Sequence, residues 1–263
     1  MRIAGSTVLL TGVTGGIGRT IAEQLVSAGA TLVVTGRRAD VVEPLAEEFG
    51  ARSVIADLAD AKQVTRLAEE CADTDILVAN AALPSSGELL DYTPEQVDRA
   101  LDVNLRAPIM LARLLAPRMV DAGSGHLAFV GSMSGKAATP SSSLYNATKF
   151  GLRGFAQGFR QDLHGTGVGV SVIQPGFVSE AGMFARTGAE LPTGMGTVTP
   201  GQVAKGVVRA VERDICEVNV APLMLRLLSA VAGQFPGFAE KVQRRSGSES
   251  TVRQIVDSQR ASR

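Results

Sequence analysis

Between Thr7 and Thr35 the chain runs apolar, then glycine-rich, then amphipathic, then apolar again, and few folds accept that order. Thr7-Val-Leu-Leu-Thr11 is too short for a helix and is bounded by turn residues, which predicts a buried parallel strand. Gly12-Val-Thr14-Gly15-Gly16-Ile17-Gly18 follows. A helical pattern then runs from Arg19 to about Ala28, with Ile21, Leu25 and Val26 as its apolar stripe. Gly29-Ala30 ends it, and Thr31-Leu-Val-Val-Thr35 is a second buried strand. The result is a strand–helix–strand unit with glycines in its first turn. Glycine lets the backbone approach a phosphate closely and lets the helix sit tightly on the sheet. The start of the helix offers unpaired N–H groups and a positive dipole end to the same phosphate.

The spacing is Gly-x-x-x-Gly-x-Gly across Gly12, Gly16 and Gly18, not the more familiar Gly-x-Gly-x-x-Gly. A glycine turn alone is a weak signal; its place between a strand and a helix makes it a nucleotide-site signal. The second strand ends in Gly36-Arg37-Arg38. An acid there would take a ribose 2′-hydroxyl. None is present, and two guanidinium groups suit a 2′-phosphate. The expected cofactor is therefore NADP(H) in preference to NAD(H).

The alternation continues down the chain. Strands are expected at Ser53–Ala56, Ile76–Ala79, Leu127–Val130, Val168–Ile173 and Cys216–Val220. Helices are expected over Asp40–Phe49, Ala61–Cys71, Pro94–Asn104, from Pro108 to about Met119, Ser142 to about Leu163, and Pro200–Arg213. This pattern predicts an α/β fold: a single-domain, doubly wound parallel sheet, Rossmann-like, with helices on both faces. Ligands of such sheets bind at the carboxyl ends of the strands. Gly12, Arg37, Asp57, Asn80, Ser132 and Pro175 all fall at expected strand ends, so separate segments converge on one edge. The domain boundary is expected near residue 220, leaving 1–220 as the catalytic unit and 221–263 as an extension.

Composition closes off other classes. Twenty-six basic and 26 acidic residues cancel, so no basic excess points to nucleic acid. Two histidines and two distant cysteines supply no zinc cluster, and no metal is expected. The first strand starts too early to leave room for a signal peptide, so a cytoplasmic protein with reduced cysteines is expected.

The stretch from Ser132 to Lys149 carries the chemistry. Within a helix, Tyr145 and Lys149 stand at i and i+4, one turn apart on one face. A tyrosine titrates near ~10, and a fixed cation close by favours its phenolate. Lowering that value by about 3 units needs about 4 kcal/mol, more than one lysine supplies, so a second positive charge is expected at the site. Taken alone, Tyr-x-x-x-Lys is common in helices. Here it follows a serine cluster at a strand end, in a chain with two tyrosines and a nucleotide-type first unit.

Together these residues resemble the short-chain dehydrogenase/reductase family, over roughly residues 5 to 220. The match comprises the Thr11-Gly12-x-x-x-Gly16-Ile17-Gly18 turn, Asp57, Asn80-Ala81-Ala82, Asn104, Ser132, Tyr145-x-x-x-Lys149 and Pro175-Gly176. The resemblance implies an NADP-preferring oxidoreductase that moves hydride between nicotinamide and a carbonyl or secondary alcohol. It implies Tyr145 as proton donor and acceptor, with Lys149 lowering its pKa and holding the nicotinamide ribose. Ser132 would bind the substrate oxygen, and Asn104 would support a water linking Lys149 to solvent. Thr14, Gly15, Arg37, Arg38, Asp57, Leu58, Asn80, Ala81, Pro175, Gly176 and Val178 would join the glycine turn around the cofactor. A homodimer or homotetramer is also implied. Two departures stand out: Ala79-Asn80-Ala81-Ala82 replaces the usual Asn-Asn-Ala-Gly, and Glu180, next to Ser179, occupies the place of a threonine that meets the carboxamide.

Phe177 to Thr199 is expected to be a substrate loop. Its Gly182, Gly188, Gly194 and Gly196 permit movement, and exposed Met183, Phe184, Leu191 and Met195 suit a hydrophobic substrate. From Ala221 to Phe238 an apolar helix is expected, followed by Lys241, Arg244 and Arg245. That helix either packs on its own domain or a neighbouring subunit, or makes peripheral membrane contact through residues 221–245. The polar stretch 246–263 is expected to fray. Besides the enzyme reading, a cofactor-binding sensor or scaffold without turnover, and an enzyme of lipid-like carbonyls, remain open.

Overall fold

A computed structural model describes residues 1–185 and 196–245, together with 254, 256 and 258. Its centre is a seven-stranded parallel sheet in the order β3-β2-β1-β4-β5-β6-β7. The strands are β1 Thr7–Thr11, β2 Thr31–Gly36, β3 Arg52–Ile55, β4 Ile76–Ala79, β5 Gly125–Val130, β6 Val168–Pro175 and β7 Glu217–Val220. From β1 the chain winds outward through β2 and β3, then returns to place β4 on the other side of β1. That reversal opens a crevice at the carboxyl ends of β1 and β4, where Gly12 and Asn80 sit.

Both sheet faces are covered, so the strands read as continuous apolar runs. Val8 and Leu10 point to one side, where they meet α1 (Gly16–Ser27), α2 (Ala39–Glu48) and α8 (Pro200–Glu212). Leu9 points to the other, onto the layer of α3 (Ala61–Glu70), α5 (Ala107–Asp121) and α6 (Ser143–Asp162). Thr93 caps α4 (Pro94–Leu101) and Thr199 caps α8; in both, a glutamine three residues on bonds back to the cap.

Several boundaries differ from expectation. The first helix begins at Gly16, so the glycines form its first turn, and Ala22 replaces the 38% exposed Val26 in its buried stripe. No break occurs near Pro108. A π turn, Asp102–Arg106, joins α4 to α5, and Pro108 lies in the first turn of α5. The tail forms two helices rather than one, α9 (Leu223–Gln234) and α10 (Pro236–Arg245), because Pro236 stops the first and starts the second. Positions 254, 256 and 258 are helical, against the expected fraying; the rest of 246–263 lies outside the described residues.

At the opposite edge from the crevice, His126 opens β5 and is 1% exposed. Its Nε2 is 2.8 Å from Ser171 Oγ, and its Nδ1 is 4.0 Å from Asp214 Oδ1. Burial outweighs the Asp214 charge, and the N-terminus and Arg160 add to it, pulling the imidazole pKa down to about 4 from 6.5. Between those values the unfolded chain binds a proton that the folded chain refuses. Stability should therefore fall by about 3 kcal/mol as pH drops from 6.5 to 4. Urea unfolding of wild type and His126→Gln at pH 7 and pH 5 reads this directly. The variant should show the shallower fall, and equal falls would exclude His126 as the cause.

Candidate active site

The glycine turn is held open by its neighbours. Gly12 takes φ +73°, and a Cβ there would stand 2.7 Å from the Ala81 Cα. Asn80 fixes the turn by donating from Nδ2 to the carbonyls of Thr11 (3.1 Å) and Gly12 (3.2 Å). The Thr11 hydroxyl accepts the N–H groups of Asn80 and Ala81, both at 3.0 Å. No side chain caps α1 at Gly15, and its first turn carries no acid, so the helix start presents N–H groups and a positive dipole end. Thr14 is exposed beside it, while Ile17 and Gly18 anchor the turn to the core.

Arg37 and Arg38 are exposed immediately after β2. Asp57, after β3, accepts from the Ala59 N–H (3.0 Å) and from Arg99 Nη2 (3.1 Å). Burial pushes the Asp57 carboxyl up, but the Ala59 bond, Arg99 and nearby Arg37 together hold it below its ordinary value. Leu58 packs partly onto the α3–α5 side of the core. Arg37 and Arg38 thus follow the carboxyl end of β2, on the same sheet edge as the uncapped α1 start.

On its other side, Ser132 follows β5 in extended conformation (φ −166°). Its N–H donates to Gln174 Oε1 at 2.7 Å, and its hydroxyl accepts from the Ser134 N–H at 3.1 Å. The Ser132 side chain lies near enough to the Tyr145 phenol to favour its phenolate slightly. Buried Lys149 donates from Nζ to the Val130 carbonyl at 3.1 Å, and that Nζ lies 5.7 Å from the Tyr145 ring centroid. Burial lowers the Lys149 pKa to about 8. Burial raises the Tyr145 pKa, and Ser132 offsets only part of this. The expected lowering by Lys149 does not show in this shift, and the Lys149 ammonium is bonded to the Val130 carbonyl. Asn104, in the π turn, receives the Leu83 N–H at 2.6 Å and donates to the Leu83 carbonyl at 3.0 Å. Its amide is committed to the segment after β4.

A family model described as short chain dehydrogenase matches residues 6–191. The chain belongs to the short-chain dehydrogenase family. A relative in a Nostoc species, named ketoacyl reductase HetN, is 32% identical over 92% of this chain and 89% of its own. A short-chain dehydrogenase from Sphingobium yanoikuyae, solved with NADPH, is 27% identical with a TM-score of 0.76, covering 89% of this chain and 95% of that one. A metagenomic short-chain oxidoreductase, solved with NADP, is 29% identical with a TM-score of 0.71, covering 84% and 99%.

In this short-chain dehydrogenase β6 ends in buried Pro175, and the Gly176 N–H donates to the Val220 carbonyl at 2.9 Å. Buried Val178 bridges to Val198, which brings the two ends of the 177–199 segment together. Glu180 takes φ +65° and is exposed, while the Ser179 hydroxyl donates to the Val198 carbonyl at 3.3 Å. Ala181 lies on Gly16, leaving no space for a Cβ there. Met183 and Phe184, in the short helix α7 (Gly182–Ala185), are half-buried rather than exposed, and Phe184 packs on Phe177 with centroids 4.9 Å apart. Gly188, Leu191, Gly194 and Met195 lie outside the described residues.

Sequence reasoning placed Thr11 in the turn but not its bonds to Asn80 and Ala81, and it missed Arg99 and Gln174. These bonds span 42 to 70 positions of chain, and no spacing reveals them. Glu217 also went unnoticed. It accepts from Lys136 Nζ (2.6 Å), Arg153 Nε (2.6 Å) and Gln157 Nε2 (3.1 Å), tying the segment after Ser132 and helix α6 to β7. Burial pushes its carboxyl up, but Lys136 and Arg153 outweigh this and leave it below its ordinary value.

Proposed function

We propose that this short-chain dehydrogenase is an NADP(H)-dependent oxidoreductase acting on a carbonyl or secondary alcohol with hydrophobic character. The observation that carries the reading is the closeness of Ser132, the Tyr145 phenol and buried Lys149 at the same sheet edge as the uncapped glycine turn. The cofactor, when bound, supplies or accepts the hydride and, when oxidised, adds the positive charge that Lys149 alone does not provide. The turn from Gly12 to Gly18 fits a pyrophosphate, and Arg37 with Arg38 fits a 2′-phosphate.

Tyr145 donates a proton from its phenol to the developing alkoxide during reduction. Its raised pKa keeps that proton in place at neutral pH. Ser132 holds the substrate oxygen beside it. Lys149, with a pKa of about 8, stays largely protonated at neutral pH and supports the phenolate and the ribose. The names of the relatives support this direction, since the Nostoc protein is called a ketoacyl reductase and two neighbours hold NADPH or NADP.

The deciding experiment combines NADPH and NADH titrations with NADPH oxidation against a panel of ketones of increasing chain length. Turnover should appear with NADPH. Binding without turnover on any ketone would favour a sensor, and binding of neither cofactor would refute the site. In the same titrations Arg37→Ala should weaken NADPH by about tenfold and leave NADH nearly unchanged. Equal losses for both cofactors would remove Arg37 from the 2′-phosphate.

A further inference from the structure

Helices α9 and α10 present an apolar surface that the rest of the described residues does not cover. Leu223, Met224, Leu227, Leu228 and Val231 on α9 and Phe235 at its end are between 46% and 67% exposed, and Phe238 and Val242 on α10 are 62% and 48% exposed. The helix touches its own domain through a narrow strip instead. Ser229 is buried, Gly233 lies against the Lys136 carbonyl without room for a Cβ, and Leu225 lies against Gly176. The chain thus uses the narrow side of α9 for packing and leaves the wide apolar side outward. That is the reverse of an ordinary surface helix.

Charge says what covers it. Helix α9 carries no acid, and Arg226 stands exposed among its leucines. Exposed Lys241 follows on α10, and the sequence adds Arg244 and Arg245, against Glu240 alone. Four basic residues and one acidic residue therefore accompany the apolar face between 221 and 245. Two copies joined through this face would bring like charges together. A bilayer of anionic lipid would take the apolar side chains into its interface and the basic ones at its headgroups. No described helix is long and apolar enough to cross a membrane, so the pair would lie in the plane of the surface.

We infer that α9 and α10 dock this protein on the surface of an anionic membrane. Docking places the rim at Gly176 and Lys136 next to the bilayer. Its use for delivering an apolar substrate rests on the proposed function, whereas the docking itself does not.

The test is cosedimentation of the full chain with phosphatidylglycerol–phosphatidylcholine vesicles and with pure phosphatidylcholine vesicles. Two variants accompany it, Leu227→Gln/Val231→Gln/Phe235→Gln and Arg226→Gln/Lys241→Gln. All five positions are exposed, and thermal unfolding confirms that each variant folds. Wild type should sediment with the anionic vesicles and stay in solution with the neutral ones. Each variant, and salt of about 0.5 M, should lower the bound fraction at least about fivefold. Wild type left in solution with anionic vesicles would overturn the inference, as would a triple variant that binds like wild type. So would light scattering that shows a wild-type dimer split by the triple variant, since the face would then join two copies.

Discussion

Tyr145→Phe is expected to lower the rate of NADPH-dependent ketone reduction by about a thousandfold or more, while NADPH affinity changes less than about threefold. The substitution removes one oxygen and leaves the ring, so the packing of α6 is kept. What it removes is the proton that the site aims at the substrate oxygen beside Ser132. The Ser132 hydroxyl can hydrogen-bond that oxygen but is a far weaker acid than a phenol, and the remaining donors are committed elsewhere. Lys149 points to the Val130 carbonyl at 3.1 Å, and the Ser132 N–H is occupied by Gln174 at 2.7 Å. Single-turnover kinetics at saturating NADPH separate this loss from binding. A variant that reduces ketone within tenfold of wild type would take Tyr145 out of the reaction.

Gly18→Ala is expected to be the most damaging substitution in the nucleotide turn, with a stability loss of about 3 kcal/mol and at least tenfold weaker NADPH binding. A Cβ at Gly18 would lie on the Gly12 carbonyl oxygen and 2.9 Å from Asn80 Nδ2. Neither neighbour can give way cheaply. The carbonyl is backbone, and Asn80 is tied to Thr11 and Gly12 by bonds of 3.1 and 3.2 Å. Relief means moving the N-terminus of α1, whose first-turn N–H groups are the proposed phosphate site. Gly154→Ala is the matched control, because a Cβ in that exposed part of α6 meets nothing within 4 Å. It should be neutral or stabilising by up to about 1 kcal/mol, by removing backbone freedom from the unfolded chain. Thermal unfolding and NADPH titration of both variants give the comparison. A Gly18→Ala protein as stable as Gly154→Ala would show that the turn relaxes at no cost.

Much of the fold was legible because its signals are local. Thr7–Thr11 and Thr31–Gly36 announce themselves as strands by short apolar runs with turn residues at their ends. The glycines of the first turn mark a crossing of backbones that β1, α1 and Asn80 then fill. Tyr145 and Lys149 could be paired from spacing alone, since one helical turn brings them to one face. The stretch from Leu101 to Pro108 was harder to read. Proline and the polar Asp102-Val-Asn104 suggest a break, yet a π turn carries the helix through. There a single widened turn keeps the axis continuous, which residue propensities do not encode.

What the sequence determined by itself is the set of elements, their parallel arrangement and the sheet edge where Gly12, Asn80, Ser132 and Pro175 gather. Strand and helix periodicities repeat every few residues, so a few residues suffice to reveal them. The tertiary structure decided which groups hold and charge that edge. Asp57 meets Arg99, Ser132 meets Gln174, and Lys136 meets Glu217 only because the strand order sets 42 to 81 residues of intervening chain aside. It also decided the direction of the Tyr145 shift. Burial costs the charged phenolate its hydration, and Lys149 is bonded to the Val130 carbonyl. Last, it decided which side of α9 faces outward. Helical spacing places leucines on a face, but only the packing of Gly233 on Lys136 leaves that face uncovered.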